Sequence, residues 1–189
     1  REHSVPKSWW NSPSHVEAFE AGTDIIHLFP SDGKANSAKS NYPLGEVNTS
    51  LSVKFDNGVS TVGYPSISGS GTNYVFEPDD EYKGDFARVY FYMATCYQDY
   101  TWKYTYMFNN SSYLTLNQYA RNILLSWHRN DHVSQKERDR NDAVFTIQGN
   151  RNPFVDDPNL AEYIWGNRMG ETYNGGGSSS VTGPAEIIY

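Results

Sequence analysis

Near the start of the chain a carboxylate, Glu2, stands next to an imidazole, His3, and the stretch "TDIIHLFPSDGKANSAKSN" at 23–41 adds acidic, amide and hydroxyl groups. Carboxylate and amide oxygens are hard ligands suited to Mg²⁺, which keeps several waters and takes only one or two protein carboxylates. A neutral histidine beside such an ion can accept a proton from an attacking water. Together these are the minimum parts of a one-metal hydrolase. The competing reading is structural: strand neighbours point to opposite faces, so Glu2 and His3 share a site only where the strand ends or bends. His27, flanked by Ile26 and Leu28, reads as a hydrogen-bonded structural histidine.

Other chemistries lack their signatures. With one cysteine, Cys96, neither an internal disulfide nor a structural zinc site is expected, and its setting among Phe91, Tyr92, Met93 and Ala94 predicts a buried core thiol. There is no G-x-S-x-G motif and no phosphate-cradling glycine loop, which removes most support for a serine hydrolase or a nucleotide-binding protein.

The elements that must position Glu2 and His3 are legible in part. The first 80 residues are irregular, with "LSVKF", "DNG" and "TVGY" at 51–64 predicting a hairpin. From about residue 81 the period changes. Phe86, Val89, Tyr90, Met93, Ala94 and Tyr97 form the apolar stripe of one packed helix, and Leu116 to Trp127 that of a second. "SQKE" has capping-box spacing and predicts a third helix from Ser134 to about Gln148, closed by Gly149. "DPNLAEYIWG" predicts a short fourth, with Asp157 as N-cap, Pro158 in the first turn and Gly166 at its end. The 189 residues divide into one domain over 1–166 and a Gly/Ser-rich linker or tail over 167–189, whose terminal "AEIIY" has the composition of a strand.

The net charge of −7 argues against a polyanionic partner, but the distribution is uneven. Residues 82–151 hold nine Lys or Arg against six Asp or Glu, so a phosphate-binding surface can lie there, although a run such as Lys136 to Arg140 is usually a solvated helix face. No apolar run approaches the ~18 residues of a membrane helix. Without an initiating Met, the chain reads as a processed form or an excised domain.

"REHSVPKSWW", "DIIHLFPSDGKANSAKSNYPLGEV", "FEPDDEYKGDFARVYFYMAT" and "LLSWHRNDHVSQKERDRNDAVFTIQGNRNPFVDDPNLAEYIWG" together resemble the bacterial endonuclease I family of secreted or periplasmic nucleases, in the His-Me finger (ββα-metal) group. The resemblance runs in order from Arg1 to Gly166. It implies an α+β fold, mainly a helical scaffold around a ββα finger with a small irregular β region. It also implies a general base at His3, a metal-binding carboxylate at Glu2, and a second metal ligand at Asn36 on a short helix starting near Lys34. Lys39, Arg88 and Arg151 match basic or polar positions of the family motifs and become candidate phosphate contacts. The implied cofactor is one divalent metal, Mg²⁺ first and Mn²⁺ or Ca²⁺ as alternatives; the implied substrate is DNA, with RNA as a further one, cut to 5′-phosphate ends.

The chain departs from the family pattern at three places. Ile26 precedes His27 where two consecutive histidines are common. Lys39 stands where arginine is common, offering a point charge in place of a two-pronged fork. Family members usually have a substantial segment before "REH", where this sequence begins, and the expectation is that this segment has been removed or reappears elsewhere. Two readings compete with the nuclease: a noncatalytic nucleic-acid or glycan binding module, using aromatics such as Trp9, Trp10 and Trp102, and a phosphodiesterase for small substrates.

Overall fold

The computed structural model describes residues 2–10, 19–111 and 113–175; the "AEIIY" strand and most of the tail lie outside them. Its architecture is α+β, with seven α-helices and two small antiparallel sheets among the described residues. The first sheet pairs β1 (Glu2–His3) with β2 (Leu28–Phe29). Between them come a 3₁₀ turn at Lys7–Trp10, the single turn of α1 (Glu20–Thr23) and a second 3₁₀ turn at Ile25–His27. Directly after β2 stands α2 (Gly33–Lys39), so strand, strand and helix follow in the order expected of the finger.

The second sheet has the order β3 (Phe55–Asp56), β4 (Ser60–Gly63), β5 (Val75–Pro78). The hairpin expected around "DNG" is present, with Phe55 opposite Val62 and Gly58 at φ 80° in the turn. Its first strand is shorter than the alternation in "LSVKF" suggested. Leu51 and Val53 are exposed, so that stretch has no face to bury and does not extend the sheet.

The scaffold is α3 (Asp80–Cys96) packed on α4 (Gln118–Asn130), with α5 (Gln135–Gln148), α6 (Pro153–Asp156) and α7 (Leu160–Ile164) around it. Both apolar stripes read from the sequence face this core: Val89, Tyr90, Met93 and Ala94 from α3, Tyr119, Ala120, Ile123, Leu124 and Trp127 from α4. Cys96 corrects its expectation. It lies one residue off the stripe that ends at Tyr97 and is exposed.

The third helix has its expected bounds, from Ser134 Oγ accepting the Glu137 N–H at 3.1 Å to Gly149 at φ 81°. Only half of the capping box forms, because the Glu137 carboxylate turns inward to Arg88 at 2.6 Å. The fourth expected helix starts later than read. Asp157 Oδ1 accepts the Asn159 N–H in a turn, and helix begins at Leu160. Trp9, Trp10 and Trp102 are buried in the core, Trp102 stacking on Phe108 at 4.1 Å, so they present no face for a sugar or base.

Candidate nuclease site

β1 and β2 are only two residues each, and what fixes them is a set of hydrogen bonds from their flanks. Glu2 sits opposite Phe29 and His3 opposite Leu28. Past the end of the pair, Ser4 donates through its N–H and its hydroxyl to the carbonyl of His27, at 2.9 and 3.1 Å. After β2, Asp32 caps α2 by accepting the N–H groups of Lys34 and Ala35 at 2.9 Å, which sets the phase of the helix. Asn36 and Lys39 are three residues apart and so share a helix face. That face looks at β1: Lys39 Nζ donates to Glu2 Oε1 at 2.8 Å.

Lys39 is 2% exposed and Glu2 is 18% exposed, which makes this an almost buried pair. Burial pushes the Lys39 ammonium below its ordinary value, and Glu2 beside it partly restores the charge. Among the described residues, Lys39 is the one hydrogen-bond donor to the Glu2 carboxylate, and the Asn36 side chain bonds to none. Glu2, Asn36 and Lys39 all line a cleft of about 610 Å³, within the range of small-ligand sites.

His3 is not a lining residue of this cleft. Glu2 and Ser4 line it and His3 does not, as the alternation along a strand requires. The His3 ring lies against His27 at 5.1 Å and Trp10 at 5.8 Å, with Nε2 3.2 Å from the carbonyl oxygen of Gly22. A carbonyl only accepts, so that bond requires the proton on Nε2 and leaves the lone pair of neutral His3 on Nδ1. His27 is structural, as read: it is fully buried and its Nε2 donates to the Ala21 carbonyl at 2.5 Å. Burial pushes it down to about 4, so it is neutral at ordinary pH.

Two residues that sequence reasoning did not single out hold the turn before β2 in place. Arg140, in the run read as a solvated face, donates to the carbonyls of Ile25, Ile26 and Leu28 at 2.6, 3.2 and 3.0 Å and lies over the Phe29 ring at 4.2 Å. Asp24 accepts from Tyr92 of α3 and Tyr97 just past its end, from Gln148 at the end of α5, and from the N–H of Ile26. Burial works to raise its carboxyl, and those four hydrogen bonds together hold it below the usual value. The signal for Arg140 was its i, i+4 spacing from Lys136, which puts both on one face of α5, and both line the cleft.

The remaining candidates are engaged elsewhere. Arg88 is completely buried and donates to Glu137 at 2.6 Å, to the Asp131 carbonyl at 2.8 Å and to Asp85 at 3.1 Å, so it is not presented to a phosphate. The inward turn of Glu137 that breaks the capping box is what closes this network. Arg151 forms a two-pronged pair with Asp156 and a further bond to Asp142 at 2.7 Å, away from the cleft. Asp85, on the cleft wall, is pushed up to about 7 by burial and by the adjacent Glu137, with Arg88 opposing.

The donor set fits a hard cation. No group of three or more His, Cys, Asp or Glu suited to a metal occurs among the described residues. One carboxylate and one amide facing the same cleft are the ligand count of an ion that retains most of its water.

The chain is similar to nucleases of known name. An extracellular ribonuclease of Bacillus amyloliquefaciens is 38% identical over 182 residues, 87% of this chain and 53% of the relative. Another, from Bacillus subtilis (strain 168), is 36% identical over 160 residues, 76% of this chain and 47% of the relative. An Endonuclease-1 of Buchnera aphidicola subsp. Baizongia pistaciae is 29% identical over 134 residues, 70% of this chain and 46% of the relative. The chain therefore spans about half the length of the curated relatives it matches. The family model described as Endonuclease I matches residues 1–159, a range holding β1, β2, α2 and most of the helical scaffold, and on that match the chain belongs to the endonuclease I family.

Proposed function

We propose that this protein is a metal-dependent, largely sequence-nonspecific endonuclease that hydrolyses phosphodiester bonds of DNA and RNA to 5′-phosphate products. The observation that carries the reading is the convergence of Glu2, Asn36 and Lys39 on one cleft, with His3 next in sequence and its tautomer set by the Gly22 carbonyl. Glu2 and Asn36 are the residues that would hold the ion, Mg²⁺ first, with Mn²⁺ and Ca²⁺ as alternatives. When bound, it would stabilise charge developing on the phosphate and the leaving 3′ oxygen.

The protein's own groups account for the rest. The Gly22 carbonyl holds the His3 ring so that Nδ1 accepts the proton of the attacking water. β1 is short enough for a phosphate at its edge to meet Glu2 from one face and His3 from the other. Lys39 fixes the Glu2 carboxylate by one oxygen. Phosphate and sugar contacts carry no base information, which is why the cut is nonspecific in sequence. A secreted or periplasmic location belongs to the same proposal, and the relatives named extracellular ribonuclease support it along with RNA as a substrate.

The test is cleavage of supercoiled plasmid and of a structureless RNA with Mg²⁺ and with excess chelator, followed by end analysis. The expected result is cleavage lost in chelator, with 5′ ends that polynucleotide kinase labels only after phosphatase treatment. Cleavage that persists in chelator, or 5′-hydroxyl ends, would sink the mechanism. The placement of His3 off the cleft favours one competing reading, a noncatalytic nucleic-acid-binding module that keeps the fold, which predicts binding without turnover.

A further inference from the structure

Only part of the cleft is occupied by groups that suit a phosphate. Glu2, Asn36 and Lys39 lie together, and the walls beside them carry the half-buried rings of Phe29, Phe86 and Tyr82, with Phe76, buried in the core, packed against Phe86. Phe86 is the centre of this surface, 6.1 Å from Phe29 and 6.2 Å from Phe76, and it is partly buried. The polar groups on the same wall do not invite an anion. Asp85 and Glu137 are carboxyl groups, and the two guanidiniums near them are engaged, Arg88 on those carboxyls and Arg140 on three backbone carbonyls. Lys136 lies over the Tyr82 ring at 4.9 Å and is exposed.

A flat, uncharged, π-bearing group therefore suits this part of the cleft, and a second phosphate does not. In a nucleic acid that group is a base. A base held in a duplex is stacked and paired, and it must be extruded at a cost of a few kcal/mol before it can enter a concave site. An unpaired strand offers its bases without that cost, and aromatic surfaces take them with little regard to sequence.

We propose that the aromatic wall formed by Phe29, Phe86 and Tyr82 is a subsite for an unpaired nucleobase next to the scissile phosphate, and that the protein selects single-stranded over double-stranded nucleic acid. This rests on the nuclease reading of the Glu2, Asn36 and His3 site and specifies the form of its substrate. The neighbouring base stacks on the wall while its phosphate lies beside Glu2 and Asn36, where the ion would be held, and Lys136 faces the backbone at the rim.

The experiment uses the full chain with an end-labelled oligonucleotide, DNA and RNA in turn, presented single-stranded or as a perfect duplex. Cleavage is measured with Mg²⁺ and binding by fluorescence anisotropy in chelator. Single strands are expected to be cut and bound about tenfold or more in preference to duplex. Tyr82→Ala and Phe86→Leu should bring both ratios towards one, with melting checked because Phe86 touches the core. Equal handling of the two forms by the wild type, or ratios untouched in both variants, would overturn the subsite. Selective binding that falls in the variants, together with no cleavage of any polymer, would retain the subsite and reject the nuclease reading instead. If Phe86→Leu fails to fold, Tyr82→Ala decides alone, and a Tyr82→Phe variant that keeps the ring should preserve the ratio.

Discussion

Two residues on the cleft have charge states set by their neighbours. The Lys39–Glu2 pair is almost buried, so removing one partner strands the other. Glu2→Gln should destabilise by about 3 kcal/mol, the low end of the usual cost because Glu2 keeps some exposure. In a chain of this size that lowers the melting temperature by roughly 6 to 12 °C. Glu2→Gln with Lys39→Met removes both charges and should recover most of the loss; a double variant no more stable than the single would contradict the pairing.

Asp85 is pushed up to about 7, so between its ordinary value and that point the folded protein binds more protons than the unfolded chain. Stability contributed by this group must then fall as pH rises through that window and stay level above it. Asp85→Asn keeps a donor for Glu137 and removes the titration. Melting temperatures measured from pH 4 to 9 should show the variant gaining on the wild type up to about pH 7, with no further gain beyond. A pH-independent difference would refute the raised carboxyl. Glu2 and His3 were legible as chemistry from their types alone, and Asn36 from the resemblance. Asp85 was not legible, because its state depends on a glutamate 52 positions away whose helix-capping role the sequence suggested instead.

β2 is too short to hold itself, and the turn that leads into it is gripped from two sides. Asp24 ties that turn to α3 and to the end of α5, and Arg140, from the middle of α5, gathers the carbonyls of Ile25 and Ile26 in the turn and of Leu28 in the strand. The long helix that reads as scaffold thus positions β1, which pairs with β2 and carries Glu2 and His3. Arg140→Ala should lower kcat about tenfold with a smaller change in KM, and Arg140→Lys should fall between the two because a lysine cannot bond three carbonyls in fixed directions. Hydrogen exchange at Ile25–Phe29 should speed up in the alanine variant. Unchanged exchange there would show that the strand does not depend on the clamp. Helices of this kind are readable because 3.6-residue periodicity is local. A two-residue strand has no period, and β5 was missed for want of local signal, while the late start of α7 was misread because Asp157 and Pro158 form a turn that looks like a helix start.

Across the whole molecule, the basic middle segment does not become a broad cationic face. Arg88, Arg129 and Arg151 are each engaged by acids, namely Glu137 and Asp85, Glu162, and Asp142 with Asp156. What remains near the cleft is Lys39, itself paired, and Lys136. Two phosphate contacts correspond to a slope of about −1 to −2 in log affinity against log salt for a single strand. Anisotropy titrations in chelator from 50 to 300 mM salt would test this, and a slope steeper than about −4 would mean a larger basic surface than the cleft provides. The sum and the spread of charge were visible in the sequence; which arginines were already engaged was not, since apart from the i, i+3 pair of Asp85 and Arg88 the partners lie on other elements.

The central claim is that Glu2, Asn36 and His3 form one hydrolytic site. The most direct measurement is the rate at which supercoiled plasmid is nicked in Mg²⁺ by the wild type and by His3→Ala, with folding of both confirmed by their melting curves. The account predicts metal-dependent nicking by the wild type and a loss of at least about a thousandfold in the variant, with melting nearly unchanged. A His3→Ala protein that nicks at the wild-type rate would contradict it, and would show that the imidazole behind the cleft holds the strand without touching the water.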